Sequence, residues 1–229
     1  MRPRAAGGDG TVHEAVNGLR GTPLAVFPMG TANVLAHEIG IGRDMAAAAR
    51  AVLQGRVLRT FPGVVNGRRF VMFAGAGFDA HVVENVRLGL KRISGKFAYL
   101  WEFARSAVRY PFQPLQVEVD GKAREAYSVV VCNGARYSGN HVLAARARLG
   151  KKGFQVCLFH RRGFVNVLRY GLGLLLGRVH TLRDVEILEG FRVRILGPDR
   201  VAVQADGEPA GRLPAEITVS EEPLDIIVP

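Results

Sequence analysis

The sequence predicts two fold textures in one chain, α/β followed by all-β: a partial α/β domain over residues 1–58, then a β-sandwich domain with inserted helices over 59–229. Three observations carry that expectation. Before Arg59, short apolar strands alternate with helical spacing; after it, short strands separated by turn residues dominate; and 229 residues suffice for one large or two small cores.

Val12, Ala15, Val16 and Leu19 fall at helical intervals, and Gly21 marks an end. Thr11 and Glu14 have capping-box spacing, which places the helix start at Thr11. Leu24-Ala25-Val26-Phe27, held between Pro23 and Pro28, is wholly apolar, as a buried parallel strand is. Gly30-Thr31-Ala32-Asn33 then turns into a second helix that stops near Gly40. Asp44 caps a third, in which Met45, Ala49, Val52 and Leu53 are expected to share the inward face.

Strands are expected at Arg69–Ala74, Leu115–Val119, Ser128–Cys132, Phe154–Phe159, Asp184–Leu188, Phe191–Leu196, Val201–Gln204 and Leu224–Val228. Asp120-Gly121 and Asp206-Gly207 supply hairpin turns. Helices interrupt at Gly95–Arg109 and Gly163–Leu176. A parallel sheet whose first strand-to-helix turn begins at residue 7 is short of strands. It needs either sheet from upstream or a later strand, such as the C-terminal one, returning to it.

Net charge is +11, and only five of the 31 basic residues are lysine. That balance favours anionic partners, but no helix-turn-helix, zinc-finger or aromatic RNA-binding pattern accompanies it, so nucleic acid is not expected. Cys132 and Cys157 lack metal-ligand spacing and lie in apolar strand runs, which reads as buried free thiols in a reducing cytoplasm. Met1-Arg2-Pro3-Arg4 leads into glycines rather than into the apolar run of a signal peptide.

Gly7, Gly8 and Gly10 surround Asp9 and open a helix. Glycine lets backbone approach phosphate oxygens, and a helix N-terminus offers unpaired N–H groups. Asp9 beside phosphate needs a cation between the two anions, so it points to Mg²⁺ or a water bound to it. A plain glycine turn is the alternative. Pro28-Met29-Gly30-Thr31-Ala32-Asn33 again ends an apolar strand and opens a helix, and ligands collect at the carboxyl ends of such strands. Thr31 and Asn33 either bind a nucleotide or cap the helix.

Gly-Gly-Asp-Gly-Thr followed by Pro-x-Gly-Thr-Ala-Asn resembles the nucleotide site of the diacylglycerol kinase catalytic family, which includes bacterial lipid kinases and relatives of sphingosine and ceramide kinases. Four further blocks follow in order: Gly75-Ala76-Gly77-Phe78-Asp79-Ala80, Lys91 through Gly95 to Tyr99, Asn133-Gly134 with Tyr137 and Gly139-Asn140, and Gln204 through Asp206-Gly207-Glu208-Pro209. The resemblance implies an ATP-dependent lipid kinase. Gly7, Gly8, Asp9, Gly10, Thr11, Gly30, Thr31 and Asn33 would bind ATP, Asp9 would lie near the nucleotide's Mg²⁺, and Glu208 would be the general base. Asn133, Tyr137, Gly139 and Asn140 are expected to shape the wall between sandwich and cleft, and Asp79 to line it or cap a helix. Without the resemblance, Asp206 and Glu208 read as an exposed hairpin turn.

Departures from the family pattern set further expectations. The chain starts almost at the glycine loop, so it reads as N-terminally truncated, and a catalytically impaired or noncatalytic lipid-binding relative is the alternative function. A soluble-substrate kinase of the NAD kinase type is a lesser one. Bacterial relatives hold a structural Mg²⁺ in a loop where this chain has Leu149-Gly150-Lys151-Lys152-Gly153-Phe154; Lys152 stands in the liganding position, so no protein-held metal is expected. Phe164–Val179, apolar and flanked by Arg161, Arg162 and Arg178, is too short to span a bilayer. It reads as an interfacial or a buried helix, and peripheral attachment to the inner face of the membrane is expected.

Overall fold

The computed structural model describes residues 4–89 and 108–229. Its first part runs β1 (Arg4–Gly7), α1 (Asp9–Gly18), β2 (Ala25–Pro28), α2 (Val34–Glu38), α3 (Met45–Gln54) and β3 (Arg56–Thr60). β1 and β2 pair in parallel. The sheet is completed from the far end of the chain: β18 (Leu224–Val228) runs antiparallel to β3 and is bridged to Leu24 just ahead of β2. Leu24 donates its N–H to Asp225 and accepts one from Ile227.

The remainder is a sandwich of two six-stranded sheets. One is ordered β13 (Val185–Gly190), β12 (Phe154–Phe159), β9 (Ser128–Cys132), β6 (Phe73–Gly77), β15 (Ala202–Ala205), β16 (Glu208–Arg212). The other is ordered β5 (Arg68–Phe70), β4 (Gly63–Val65), β17 (Ala215–Val219), β14 (Arg192–Leu196), β7 (Leu115–Val119), β8 (Lys122–Ala126). Val117, Val131, Val156, Ile195 and Ile217 fill the space between them. The outer face of the first sheet is covered too, because Phe73, Val130, Cys132 and Cys157 join the core that includes Leu24, Val26 and Leu35. β6, β9 and β12 are therefore buried on both faces, which is why, Ser128 and Gln155 apart, they carry only apolar side chains. A short hairpin of β10 (Arg136–Ser138) and β11 (His141–Val142) follows β9, while α4 (Phe78–Gly89) and α5 (Phe164–Leu175) are inserted.

Several expectations need correcting. α1 starts at Asp9 with Gly8 as its N-cap and no side-chain cap bond, so Thr11 and Glu14 form no capping box; the Asp9-Gly10 backbone is already helical, which puts Thr11 inside the first turn. In α3 the inward residues are Ala48 and Ala51, whereas Met45, Ala49 and Leu53 are exposed. The helix lies against β2 and needs small side chains at the contact. The expected strand Arg69–Ala74 is broken at Val71-Met72 for a reason given below. α5 is not a buried sandwich helix: of its residues only Val167 and Gly173 are buried.

Asp44 caps α3 as expected, accepting the N–H groups of Ala46 and Ala47. Cys132 and Cys157 are free and buried. Bonding to Cys157 and burial push the Cys132 thiol well above its usual range. Lys152 places its ammonium 5.1 Å from the centroid of the Phe61 ring. The Lys91-to-Tyr99 block, and the expected helix at Gly95–Arg109 up to residue 107, lie outside the described residues.

Candidate active site

β1 and β2 end level with one another, Gly7 opposite Pro28, so the two glycine loops leave the sheet side by side. Met29 donates its N–H to the Gly7 carbonyl, and Gly8 and Gly30 meet backbone to backbone. Asn33, left-handed at φ 50°, is buried, and its amide both accepts from the Gly30 N–H and donates to the Gly30 carbonyl at 2.8 Å. It pins the second loop and makes no cap bond to α2. Asp9 reaches across instead: its Oδ1 accepts the Val34 N–H at 2.7 Å, capping α2 from the other loop. Burial raises the Asp9 pKa, bonds from Val34 and Asn33 oppose the rise, and the Asp206 charge adds to it.

The sandwich contributes the opposite wall. Asp206 and Gly207 both have positive φ, 51° and 81°, and turn β15 into β16. This turn is not a free hairpin end. Asp206 Oδ2 accepts the Val71 N–H at 2.7 Å, and Oδ1 accepts those of Met72 and Phe73 at 2.9 and 3.0 Å. These donors are the amides freed by the break between β5 and β6, so one carboxylate both interrupts the expected strand and satisfies it. The other side of the break is held by Asn133, whose amide donates to the Val71 carbonyl and whose backbone N–H donates to Met72. Behind Asp206, buried His13 places Nδ1 4.0 Å from Oδ2.

A second relay fixes the same turn. The Tyr137 hydroxyl donates to Asp79, Gln204 donates its Nε2 to Asp79 at 2.9 Å, and Gln204 Oε1 accepts the Gly207 N–H at 2.9 Å. Burial pushes the Asp79 carboxyl up, against the two bonds it accepts. Asp79 lies in the first turn of α4 and faces this network rather than capping the helix. The next residue along the turn is Glu208. Its Oε1 comes so near Gly10 that a Cβ there would stand 2.8 Å away. Gly10 is the gap through which the sandwich carboxylate reaches the first glycine loop.

These walls enclose a cleft of about 670 Å³. Among the residues singled out from sequence, Asp9, Gly10, Thr31 and Glu208 line it, joined by Asp79, Tyr137 and Asp206. Gly7, Gly8, Thr11, Gly30 and Asn33 are not in its lining; they frame the loops behind it. Asn140 stands apart, accepting from Arg136. The amide clamp on Asp206 had no local signal, since its donors lie 133 to 135 residues away. Glu38 was also missed: with its side chain 8% exposed, it accepts the N–H groups of Ala135 and Arg136 and pairs with the Arg136 guanidinium, tying α2 to the sandwich.

A second, mainly apolar cavity of about 620 Å³ adjoins the first, sharing Asp79, Tyr137 and Ser138 with it. Phe78, Val82, Phe112, Val167, Leu174 and Val179 are among its walls. Among the described residues no three His, Cys, Asp or Glu side chains are gathered closely enough to hold a metal by themselves.

Paired glycine loops over a carboxylate-lined cleft, backed by a sandwich with an apolar cavity, define a phosphotransferase of the two-part lipid kinase class. The comparisons agree. Residues 4–64 match the diacylglycerol kinase catalytic domain, and residues 72–228 match the YegS C-terminal NAD kinase beta sandwich-like domain. The chain belongs to the family of the YegS C-terminal NAD kinase beta sandwich-like domain, which takes up more than half of it, and its first part is similar to the diacylglycerol kinase catalytic domain. It is 28% identical to a diacylglycerol kinase of Bacillus subtilis strain 168 over 98% of this chain and 77% of that one. It is also 28% identical to a diacylglycerol kinase of Staphylococcus aureus strain RF122, covering 98% of this chain and 73% of the relative. A crystal structure of a diacylglycerol kinase from Bacillus anthracis Sterne superposes with a TM-score of 0.75 at 25% identity, over 99% of this chain and 77% of that one.

Proposed function

We propose that this chain transfers the γ-phosphoryl group of ATP to the hydroxyl of a diacylglycerol-like or sphingoid lipid. The observation that carries the reading is the contact of Glu208 with Gly10, which sets a carboxylate from the sandwich against the glycine loop. Residues 1–58 serve the nucleotide: Gly7, Gly8, Gly10, Thr11, Gly30, Thr31 and Asn33 form and brace the loops, whose backbone N–H groups receive phosphate oxygens. Residues 59–229 serve the lipid. Its tails lie in the apolar cavity and its hydroxyl passes Tyr137 and Ser138 into the cleft, since both cavities share those residues.

Glu208 accepts the hydroxyl proton as the lipid oxygen bonds to the γ-phosphorus and the β–γ bridging bond breaks, releasing ADP. The Asp206 clamp and the Asp79–Gln204 relay hold the turn so that Glu208 needs no reorganisation. Oxygen donors suit Mg²⁺, which is usually held by one or two carboxylates together with substrate phosphates. Asp9 fits that arrangement, because its burial-raised carboxyl gains from a neighbouring cation. Mg²⁺ carried by the nucleotide would neutralise charge on the transferring phosphoryl group. Membrane contact, in this reading, is peripheral and on the inner face; among the described residues no helix is long and apolar enough to cross a bilayer.

The test is ATP-dependent phosphate transfer to a panel of lipids in mixed micelles. Glu208→Gln is expected to lower turnover by about 10²–10⁴-fold while leaving ATP binding in place. Transfer undiminished in Glu208→Gln removes Glu208 as the base. Lipid binding without any transfer by the unaltered chain supports a noncatalytic relative instead.

A further inference from the structure

Helix α5 carries an apolar face that the rest of the protein leaves open. Val165, Leu168, Leu172, Leu175 and Leu176 recur at helical spacing, occupy about a third of the circumference, and are between 46% and 74% exposed. Val167 and Leu174, on the other side, pack inward. Single exposed leucines are ordinary; a contiguous stripe of them marks a contact surface. Its flanks are basic. Arg161 and Arg162 precede the helix, Arg178 and Arg183 follow it, all four are exposed, and no acidic residue occurs between Arg161 and Arg183. Arg169, on the edge of the stripe, is held by Asp184.

We propose that this face of α5 docks on an anionic lipid bilayer, lying in the interface with Val165 and Leu176 among the acyl chains and Arg178 and Arg183 against lipid phosphates. Charge complementarity selects the occupant, since basic side chains beside an apolar stripe match an anionic leaflet. At roughly 18 Å the helix is too short to cross a hydrocarbon core of about 30 Å. Position selects it as well. Leu168, Leu172 and Leu175 belong both to the exposed stripe and to the wall of the 620 Å³ cavity. A bilayer on this face would continue the cavity into the acyl layer, whereas a protein would cap it. The inference rests on the lipid kinase reading above in taking that cavity as the acceptor site.

The test separates docking from catalysis. The unaltered chain is sedimented with vesicles of phosphatidylcholine alone and with added phosphatidylglycerol. Comparison is made with Val165→Asp/Leu176→Asp and with Arg178→Glu/Arg183→Glu, none of these positions lining either cavity. Binding to the anionic vesicles and not to the neutral ones is expected, weakened by about tenfold or more in each variant, with unchanged circular dichroism. As a check independent of those variants, Val165→Cys carrying a polarity-sensitive dye should shift to the blue with anionic vesicles, while Leu53→Cys on α3, equally exposed, should not. Unaltered vesicle binding by both variants, or no shift at Val165, overturns the proposal. So does a dimer of the unaltered chain that Val165→Asp/Leu176→Asp dissolves without any vesicle binding, which assigns the face to a second copy. Phosphate transfer to a dispersed short-chain acceptor should survive in both variants. If no form of the chain transfers phosphate while the vesicle results hold, the kinase reading fails and the docking surface stands.

Discussion

Gly30 lies against Gly8 with no room for a side chain between them: a Cβ on Gly30 would stand 2.3 Å from the Gly8 Cα and 2.9 Å from Asn33 Oδ1. Both obstacles are fixed, one being backbone and the other a side chain already bonded to Gly30. Gly30→Ala should therefore push the two loops apart, costing about 1–3 kcal/mol and abolishing ATP binding. Urea unfolding and titration calorimetry check the two effects. Gly18→Ala is the control, since a Cβ there meets nothing within 4 Å.

The Glu38 carboxylate is the acceptor for two backbone amides of the β9–β10 connection. Glu38→Ala would strand both and leave Arg136 without this partner, so a loss of about 2–3 kcal/mol is expected. Chemical denaturation measures it. Because α2 follows directly from the second glycine loop, ATP affinity should fall as well.

Gly171 sits in α5 on the wall of the apolar cavity, where a Cβ meets nothing within 4 Å. Gly171→Leu should raise stability by about 0.5–1 kcal/mol through helix propensity and fill part of the cavity. The expected result is a higher melting temperature with a raised KM for long-chain acceptors and unchanged ATP binding. A variant that is stabler yet uses long-chain lipid as before places the acceptor elsewhere.

Asp44 reports on pH. Its carboxylate accepts the Ala47 and Ala46 amides at the start of α3, and those bonds, the Ala47 bond foremost, hold its pKa below the ordinary value of 3.8. A depressed acid stabilises the fold above pH 3.8 and loses that contribution as pH falls through the lower folded value. Asp44→Ala should thus lower the thermal midpoint at neutral pH, and the gap to the unaltered chain should close below pH 3.8. Paired melting curves across that range test it.

How much of this was legible in the sequence followed burial. Ser128–Cys132, Phe154–Phe159 and Leu224–Val228 read as strands over their observed limits, because each lies deep in packed structure and all but one of its residues are apolar. β1, β3, β4, β8, β10, β11, β16 and β17 were missed. Arg56-Val57-Leu58-Arg59-Thr60 and Lys122-Ala123-Arg124-Glu125-Ala126 are largely exposed strands with weak alternation, and β16 contains Pro209 and Gly211. For α3 the bulky residues were expected inside and the alanines turned out to be, since close approach to β2 selected for size over hydrophobicity. In the site, glycine loops and Asp206-Gly207-Glu208 were readable as local patterns. The carboxylate-to-amide clamp and the Glu38 tie were not, because their partners are distant in sequence and nothing near Val71 or Ala135 announces them.

The return of β18 to β3 has a consequence for how the chain comes to be folded. Arg56 pairs with Val228 and Thr60 with Leu224, so this sheet joins strands that lie on either side of the whole sandwich in sequence. Pairings at such separation carry a large loop-closure cost and slow the approach to the native state. The glycine loops hang from that sheet. During translation the segment ahead of Thr60 has to wait for β18, with the edge of β3 unpaired and open to aggregation in the meantime.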